Sequence, residues 1–204
     1  MKGLLVKDFY TMLRQMKLYL LFILVLSILP NMSLSGLAVV YAAMLPITAL
    51  AYDERSKWDS LAATMPYSST DMVLSKYILG YLGVAASCVL TFLIELITGL
   101  IKHVPFSAEQ GVAILFVGCA GWILLAVNLP FMFWLGVEKG RAVYFVLIAL
   151  TVFLGMMSGP QAQKLVELSN ISVNAILGAV VAASILMNAV SIWISASLYR
   201  NKPR

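Results

Sequence analysis

Apolar residues in this chain gather into long blocks separated by short polar turns. Several blocks approach the roughly 20 residues with which a helix crosses a bilayer. Six such spans are expected, over about 18–30, 36–51, 77–101, 112–135, 142–159 and 173–198. The first is short, so it must borrow turns from Met12 onward or thin the bilayer locally. Pro46 and Pro130 fall inside spans and are expected to kink them. The turns between spans are PNMSLSG, KHVPFSAEQG and VEKGR, with PQAQKLVELSNIS as a loop that has room for a short interfacial helix. Before the first span, residues 2–17 place Leu4, Leu5, Phe9, Met12, Leu13 and Met16 on one broad face, with Lys7, Thr11, Arg14, Gln15 and Lys17 across much of the other. That pattern suits a helix lying in the membrane interface.

The longest polar passage is 52–77, YDERSKWDSLAATMPYSSTDMVLSKY. It carries a charge cluster (Asp53, Glu54, Arg55, Lys57, Asp59, Asp71 and Lys76) around apolar residues at Trp58, Leu61, Ala62 and Met65. Their i, i+3, i+4, i+7 spacing predicts a short amphipathic helix of about nine residues, 57–65. Ser56 and Asp59 have capping-box spacing at its start, and Pro66 ends it. Ser68 and Asp71 offer a second cap just before the third span. A capped amphipathic helix between two spans is a candidate docking element and a lever for passing movement into the membrane.

Composition agrees with a membrane protein. Hydrophobic residues make up 62% of the chain and charged ones 11%, well under the roughly 25% of soluble domains. Mean hydropathy is +0.95. The expected fold is therefore an all-α integral membrane protein, a single transmembrane domain over 1–204 with no room for a separate soluble domain. The net charge of +5 fits membrane orientation rather than nucleic acid. With both termini inside, only Lys102 and Lys164 of the 14 basic residues fall outside, which is the positive-inside pattern; fusing the first two spans would put four outside, so six is the better count. The N-terminus is too charged for a removable signal peptide.

Little here supports catalysis. Cys88 and Cys119 lie in apolar runs and read as small core residues, not a disulfide. His103 is the single histidine, and no metal-ligand spacing or GxxxxGK[ST] phosphate loop occurs, so no catalytic or metal site is expected. Glu95 is the one formal charge well inside a span, in TFLIELITGL. It reads either as a structural hydrogen-bonding or snorkelling group or as part of the outer substrate route. Gly155/Gly159, Gly178/Ala182, Ala38/Ala42 and Gly83/Ser87 have small-xxx-small spacing for close helix contact.

MKGLLVKDFY at the start, the YDE-K-W-D…S-KY block after the second span, six spans and a basic tail together resemble the short bacterial ABC type-2 exporter permeases. That branch includes permeases of phenol-soluble modulin and antimicrobial-peptide exporters. The resemblance covers essentially the whole chain. Met65-Pro66 stands where a Leu-Pro pair is common, a mild departure. It implies a permease without its own ATPase, two permease copies (a homodimer or close homologues) with two cytoplasmic ATP-binding subunits, and ATP and Mg bound on those partners rather than on this chain. It also implies that the N-terminal helix is the connecting helix, and that the first cytoplasmic loop holds a coupling helix at about 54–65. By position, Trp58, Leu61 and Met65 would be apolar ATPase contacts, and Glu54, Arg55, Lys57 and Asp59 polar ones.

The expectation is an ATP-driven exporter subunit in a bacterial cytoplasmic membrane, moving an amphipathic or hydrophobic cargo such as a small peptide, toxin or lipid-like molecule. The alternatives are an ion-coupled secondary transporter or channel using Glu95, and a membrane immunity or scaffold protein.

Overall fold

The computed structural model of the chain describes residues 2–15, 17–28, 32–62, 64–103, 107–150, 153 and 173–200. Every regular element among them is a helix: α1 (Lys2–Gln15), α2 (Lys17–Ile28), α3 (Met32–Ala43), α4 (Leu45–Arg55), α5 (Trp58–Ala62), α6 (Ser69–Lys102), α7 (Ala108–Leu135), α8 (137–150) and α9 (Val173–Arg200).

Four helical stretches among the described residues are long and apolar enough to cross a membrane: Gly36–Arg55, Ser69–Lys102, Ala108–Leu135 and Ala175–Arg200. They coincide with the second, third, fourth and sixth expected spans. The expected first span appears as α2, whose 12 residues rise about 18 Å, well short of the ~30 Å hydrocarbon layer. Most of the expected fifth span beyond residue 150, the loop at 160–172, the Gly155/Gly159 pair and the tail at 201–204 lie outside the described residues. The large side chains facing outward are apolar, including Leu82, Val89, Leu93 and Ile97 on α6 and Leu186, Val190 and Trp193 on α9. A water-soluble helix would turn such residues inward.

Local chemistry sets the helix ends. The Ser68–Asp71 box is formed: Ser68 Oγ accepts the Asp71 N–H at 3.1 Å, and the Asp71 carboxylate accepts the Ser68 N–H at 3.4 Å. A second box at Ser107 and Gln110 starts α7. VEKGR is not a turn, because only Gly136, at φ +82°, breaks the chain before α8 begins at 137. Pro46 acts as expected, though as a break: α3 stops at Ala43 and α4 restarts at Leu45. There the Met44 N–H turns to the Tyr41 carbonyl at 2.9 Å, which leaves the Val40 carbonyl without its usual helical donor. The buried Tyr144 hydroxyl of α8 donates to that carbonyl at 2.7 Å and so ties α8 to the break.

α6 is the axis of the packing. Val73, Tyr77, Gly80, Val84, Ser87 and Thr91 are buried along it at alternating steps of four and three, one seam against α3, α4 and α7. Gly83 lets α3 approach closely: a Cβ there would stand 2.5 Å from Leu45 Cδ1 and 3.3 Å from the Ala42 carbonyl oxygen. Ala38 and Ala42 are fully buried, whereas Gly178 faces open space. Cys88 and Cys119 are free thiols. α9 packs chiefly on α7, and their ends meet where the Phe133 and Tyr199 rings lie 5.7 Å apart. Leu4 and Lys7 of α1 line a small cavity with the same two aromatics, so α1 and the end of α9 share one end of the bundle.

Candidate functional site

The charged end of the bundle is organised by four side chains from three helices. Lys7 and Asp8 come from α1, Asp53 from the last turn of α4, and Lys76 from the second turn of α6. Lys76 Nζ lies 2.7 Å from Asp8 Oδ1 and 2.6 Å from Asp53 Oδ2. Lys7 Nζ closes the ring at 2.5 Å from Asp53 Oδ1 and 3.1 Å from Asp8 Oδ1. The lattice is neutral, and three of its members are buried, Asp8 at 1%, Lys76 at 4% and Asp53 at 8% exposed, while Lys7 is half-buried. Charges so far from water are tolerated only when each is paired, and here each ammonium serves both carboxylates. The arrangement locks α1 onto the two helices that lead into and out of the 52–77 loop.

The loop itself differs from its expected form. Ser56 does not cap a helix start; it ends α4, and its hydroxyl donates to the Asp53 carbonyl at 3.2 Å. Lys57 then takes a left-handed conformation, φ 51°, and α5 is only the five residues Trp58–Ala62 rather than about nine. A chain turned this sharply at 56–57 cannot carry helix hydrogen bonds through from Ser56. Because α5 is short, the apolar face divides. Trp58 turns inward, with its ring 4.3 Å from Lys7 Nζ in a cation–π contact, and Ala62 is buried. Leu61 and Met65 stay 55% and 39% exposed. Arg55 and Lys57 are exposed, and Asp59 sits on α5. Glu54 turns away from α5 toward the α7–α8 corner, where its Oε2 accepts the Val137 N–H at 3.4 Å.

A second polar feature lies inside the span layer. Ser184, Asn188, Ser191 and Ser195 form one buried stripe along α9. Pro130 has no N–H to give the Ala126 carbonyl four residues back, and the Ser191 hydroxyl donates to that carbonyl instead. The single Ser191 proton being used, the Tyr77 hydroxyl at 2.5 Å must donate to Ser191, and Ser195 at 2.9 Å donates to Tyr77. One turn toward the other end, the Tyr81 hydroxyl donates to Asn188 Oδ1 at 2.8 Å, and Asn188 Nδ2 donates to the Trp122 carbonyl at 3.2 Å. The stripe therefore joins α6, α7 and α9 around the Ala126 carbonyl that Pro130, inside the continuous α7, leaves without an N–H. Beside it, an apolar groove of about 600 Å³ runs between α7 and α9 past Pro130, Trp134 and Val190.

A family model described as ABC-2 family transporter protein matches residues 3–200. The chain belongs to this family. It is the permease component of an ABC transporter, a multi-pass membrane protein whose family associates with an ABC ATP-binding subunit. Neither the curated proteins nor the solved structures contain a match.

In this ABC-2 permease, the residues expected from sequence fall into distinct places. Arg55, Lys57, Leu61 and Met65 share the outer surface of the loop, while Trp58 packs toward Lys7 and the exposed Glu54 reaches the Val137 N–H. Glu95 sits about two turns before the end of α6, half-buried, and makes no ion pair with a described residue. Among the described residues no group of three or more ligating side chains could hold a metal. Sequence reasoning missed Asp8 and the α9 stripe. Asp8 is the only acid in the first 52 residues, in a helix otherwise basic, and that was a usable signal. The 4-3-4 spacing of Ser184, Asn188, Ser191 and Ser195 was another.

Proposed function

We propose that the permease is the membrane half of an ATP-driven exporter in a bacterial cytoplasmic membrane, with both termini and the 52–77 loop in the cytoplasm. The ATP-binding subunit docks on the outer surface of that loop, through Leu61 and Met65 with Arg55, Lys57 and Asp59 around them. ATP and Mg bind on the partner. The cargo is amphipathic or hydrophobic, a small peptide, toxin or lipid-like molecule, moved by a pair of permease copies. Glu95 lines the outer part of the route.

The observation that carries this reading is the buried charge lattice. It fastens α1, α4 and α6 to one another at the base of α5, so a push on the loop is delivered to three helices together rather than absorbed in a floppy linker. Family membership and the absence of a phosphate loop support the division of labour between permease and ATPase. The test is co-expression with the ATP-binding subunit and purification in mild detergent. Retention of the ATPase, with ATP-dependent efflux of an amphipathic peptide from inverted vesicles, is expected. A permease that never retains an ATPase, or that transports alone on an ion gradient, overturns the reading.

A further inference from the structure

Arg55, in the last turn of α4, and Arg141, in the second turn of α8, line one cleft of about 70 Å³ with Thr48, Ala51 and Tyr52. Two arginines lining one cleft bring like charges near each other, a repulsion that a bound anion would offset. The nearby carboxylates are committed elsewhere: Asp53 is held by Lys7 and Lys76, and Glu54 receives the Val137 N–H. Glu138, one turn before Arg141, is exposed. All four ion pairs among the described residues belong to the Lys7–Asp8–Asp53–Lys76 lattice, so neither arginine has a described carboxylate partner.

We propose that Arg55 and Arg141 form a binding site for the phosphate group of an anionic phospholipid headgroup. The volume suits a phosphate with its nearest water, since a water molecule takes about 30 Å³. Planar guanidinium forks match phosphate oxygens bidentately, which makes a pair of arginines a better phosphate clamp than a pair of lysines. Depth favours lipid over a soluble ion. Arg55 is the last residue of the apolar stretch Gly36–Arg55, which places the cleft at the headgroup level, with Ala51 and Thr48 one and two turns deeper. Tyr52 beside them is a residue type enriched at that boundary. A lipid clamped there would bridge α4 and α8, the helices that Glu54 also joins through Val137.

The test uses the full-length chain in neutral detergent, with phosphatidylglycerol or phosphatidylcholine added to the micelles, and inorganic phosphate in a separate arm. Bound lipid is counted by native mass spectrometry, and the melting temperature is followed in parallel. Phosphatidylglycerol is expected to be retained and to raise the melting temperature, while phosphatidylcholine does neither. Arg141→Gln should weaken retention about tenfold, the loss of one charge-assisted contact, and Arg55→Gln/Arg141→Gln should abolish it. Lys139→Gln, an exposed basic residue on the same helix, should leave it unchanged. Should Arg141→Gln not fold, Arg141→Lys keeps the charge without the fork and should show an intermediate loss. A shift with inorganic phosphate that phosphatidylglycerol does not match supports the phosphate clamp but overturns its assignment to lipid. Undiminished lipid retention in the double variant overturns the site. If Arg141→Gln alone releases the ATP-binding subunit, Arg141 serves the protein partner instead and the lipid assignment falls.

Discussion

Lys76→Met is the sharpest probe of the charge lattice. Lys76 Nζ stands 2.7 Å from Asp8 Oδ1 and 2.6 Å from Asp53 Oδ2, with its side chain 5% exposed. At an effective dielectric near 20 each contact is worth about 6 kcal/mol of gross Coulomb attraction. Most of that is offset by desolvating three ions, at several kcal/mol each. Methionine keeps the volume but leaves two buried carboxylates facing a single ammonium, Lys7. Removing one partner from a buried pair typically costs about 3–5 kcal/mol, and the partial exposure of Asp53 argues for the lower half of that range here. Adding Asp53→Asn to Lys76→Met takes away one charge of each sign and leaves the Lys7–Asp8 pair intact at 3.1 Å. The double variant should therefore be more stable than the sum of the singles implies, by about 1–3 kcal/mol of coupling. Equilibrium unfolding in mixed micelles of the two singles, the double and the wild type supplies the cycle. A Lys76→Met loss under about 1 kcal/mol, or strict additivity, would refute a mutually dependent lattice.

Four further outcomes follow. Leu61→Glu should release the ATP-binding subunit on co-purification while leaving the melting temperature of the permease alone within about 1 °C, since exposed substitutions change stability little. Trp58→Ala should instead lower that temperature, losing a cation–π contact of about 0.5–2 kcal/mol together with packing; equal effects of the two changes would sink the inward placement of Trp58. Ser191→Ala strips the Ala126 carbonyl of its donor and the Tyr77 hydroxyl of its acceptor and should cost about 1–3 kcal/mol, but less in a Pro130→Ala background, where residue 130 regains an N–H for that carbonyl while Tyr77 stays without Ser191. The cost would have to be the same in both backgrounds for the repair argument to fail. Glu95→Gln should reduce efflux of an amphipathic peptide several-fold without altering ATPase retention, and unchanged efflux would return Glu95 to a structural role.

Much of the architecture could be read directly along the chain. Hydropathy over a window of about 18–20 residues depends only on neighbours in sequence, so the four stretches that reach spanning length lie where the pattern placed them. The Ser68–Asp71 cap was legible for the same reason, because donor and acceptor are three residues apart. The charge cluster in 52–77 was also visible. Local spacing misled at Ser56, whose box with Asp59 lost to a sharper turn that ends α4. It misled again at VEKGR, where one glycine makes the whole corner.

Only tertiary packing decided which charges pair and which apolar residues face inward. Asp8 finds Lys76 across 68 positions and Lys7 finds Asp53 across 46, and no helical period encodes such partners. Trp58 and Leu61 carry the same amphipathic signature, yet one covers Lys7 and the other faces out, because the position of α1 gives the indole a cation to stack on. The serines and asparagine of α9 became a seam only when α7 presented a carbonyl that Pro130 could not satisfy. In each case helix assembly brings together groups whose need for a partner is local but whose partner lies far along the chain.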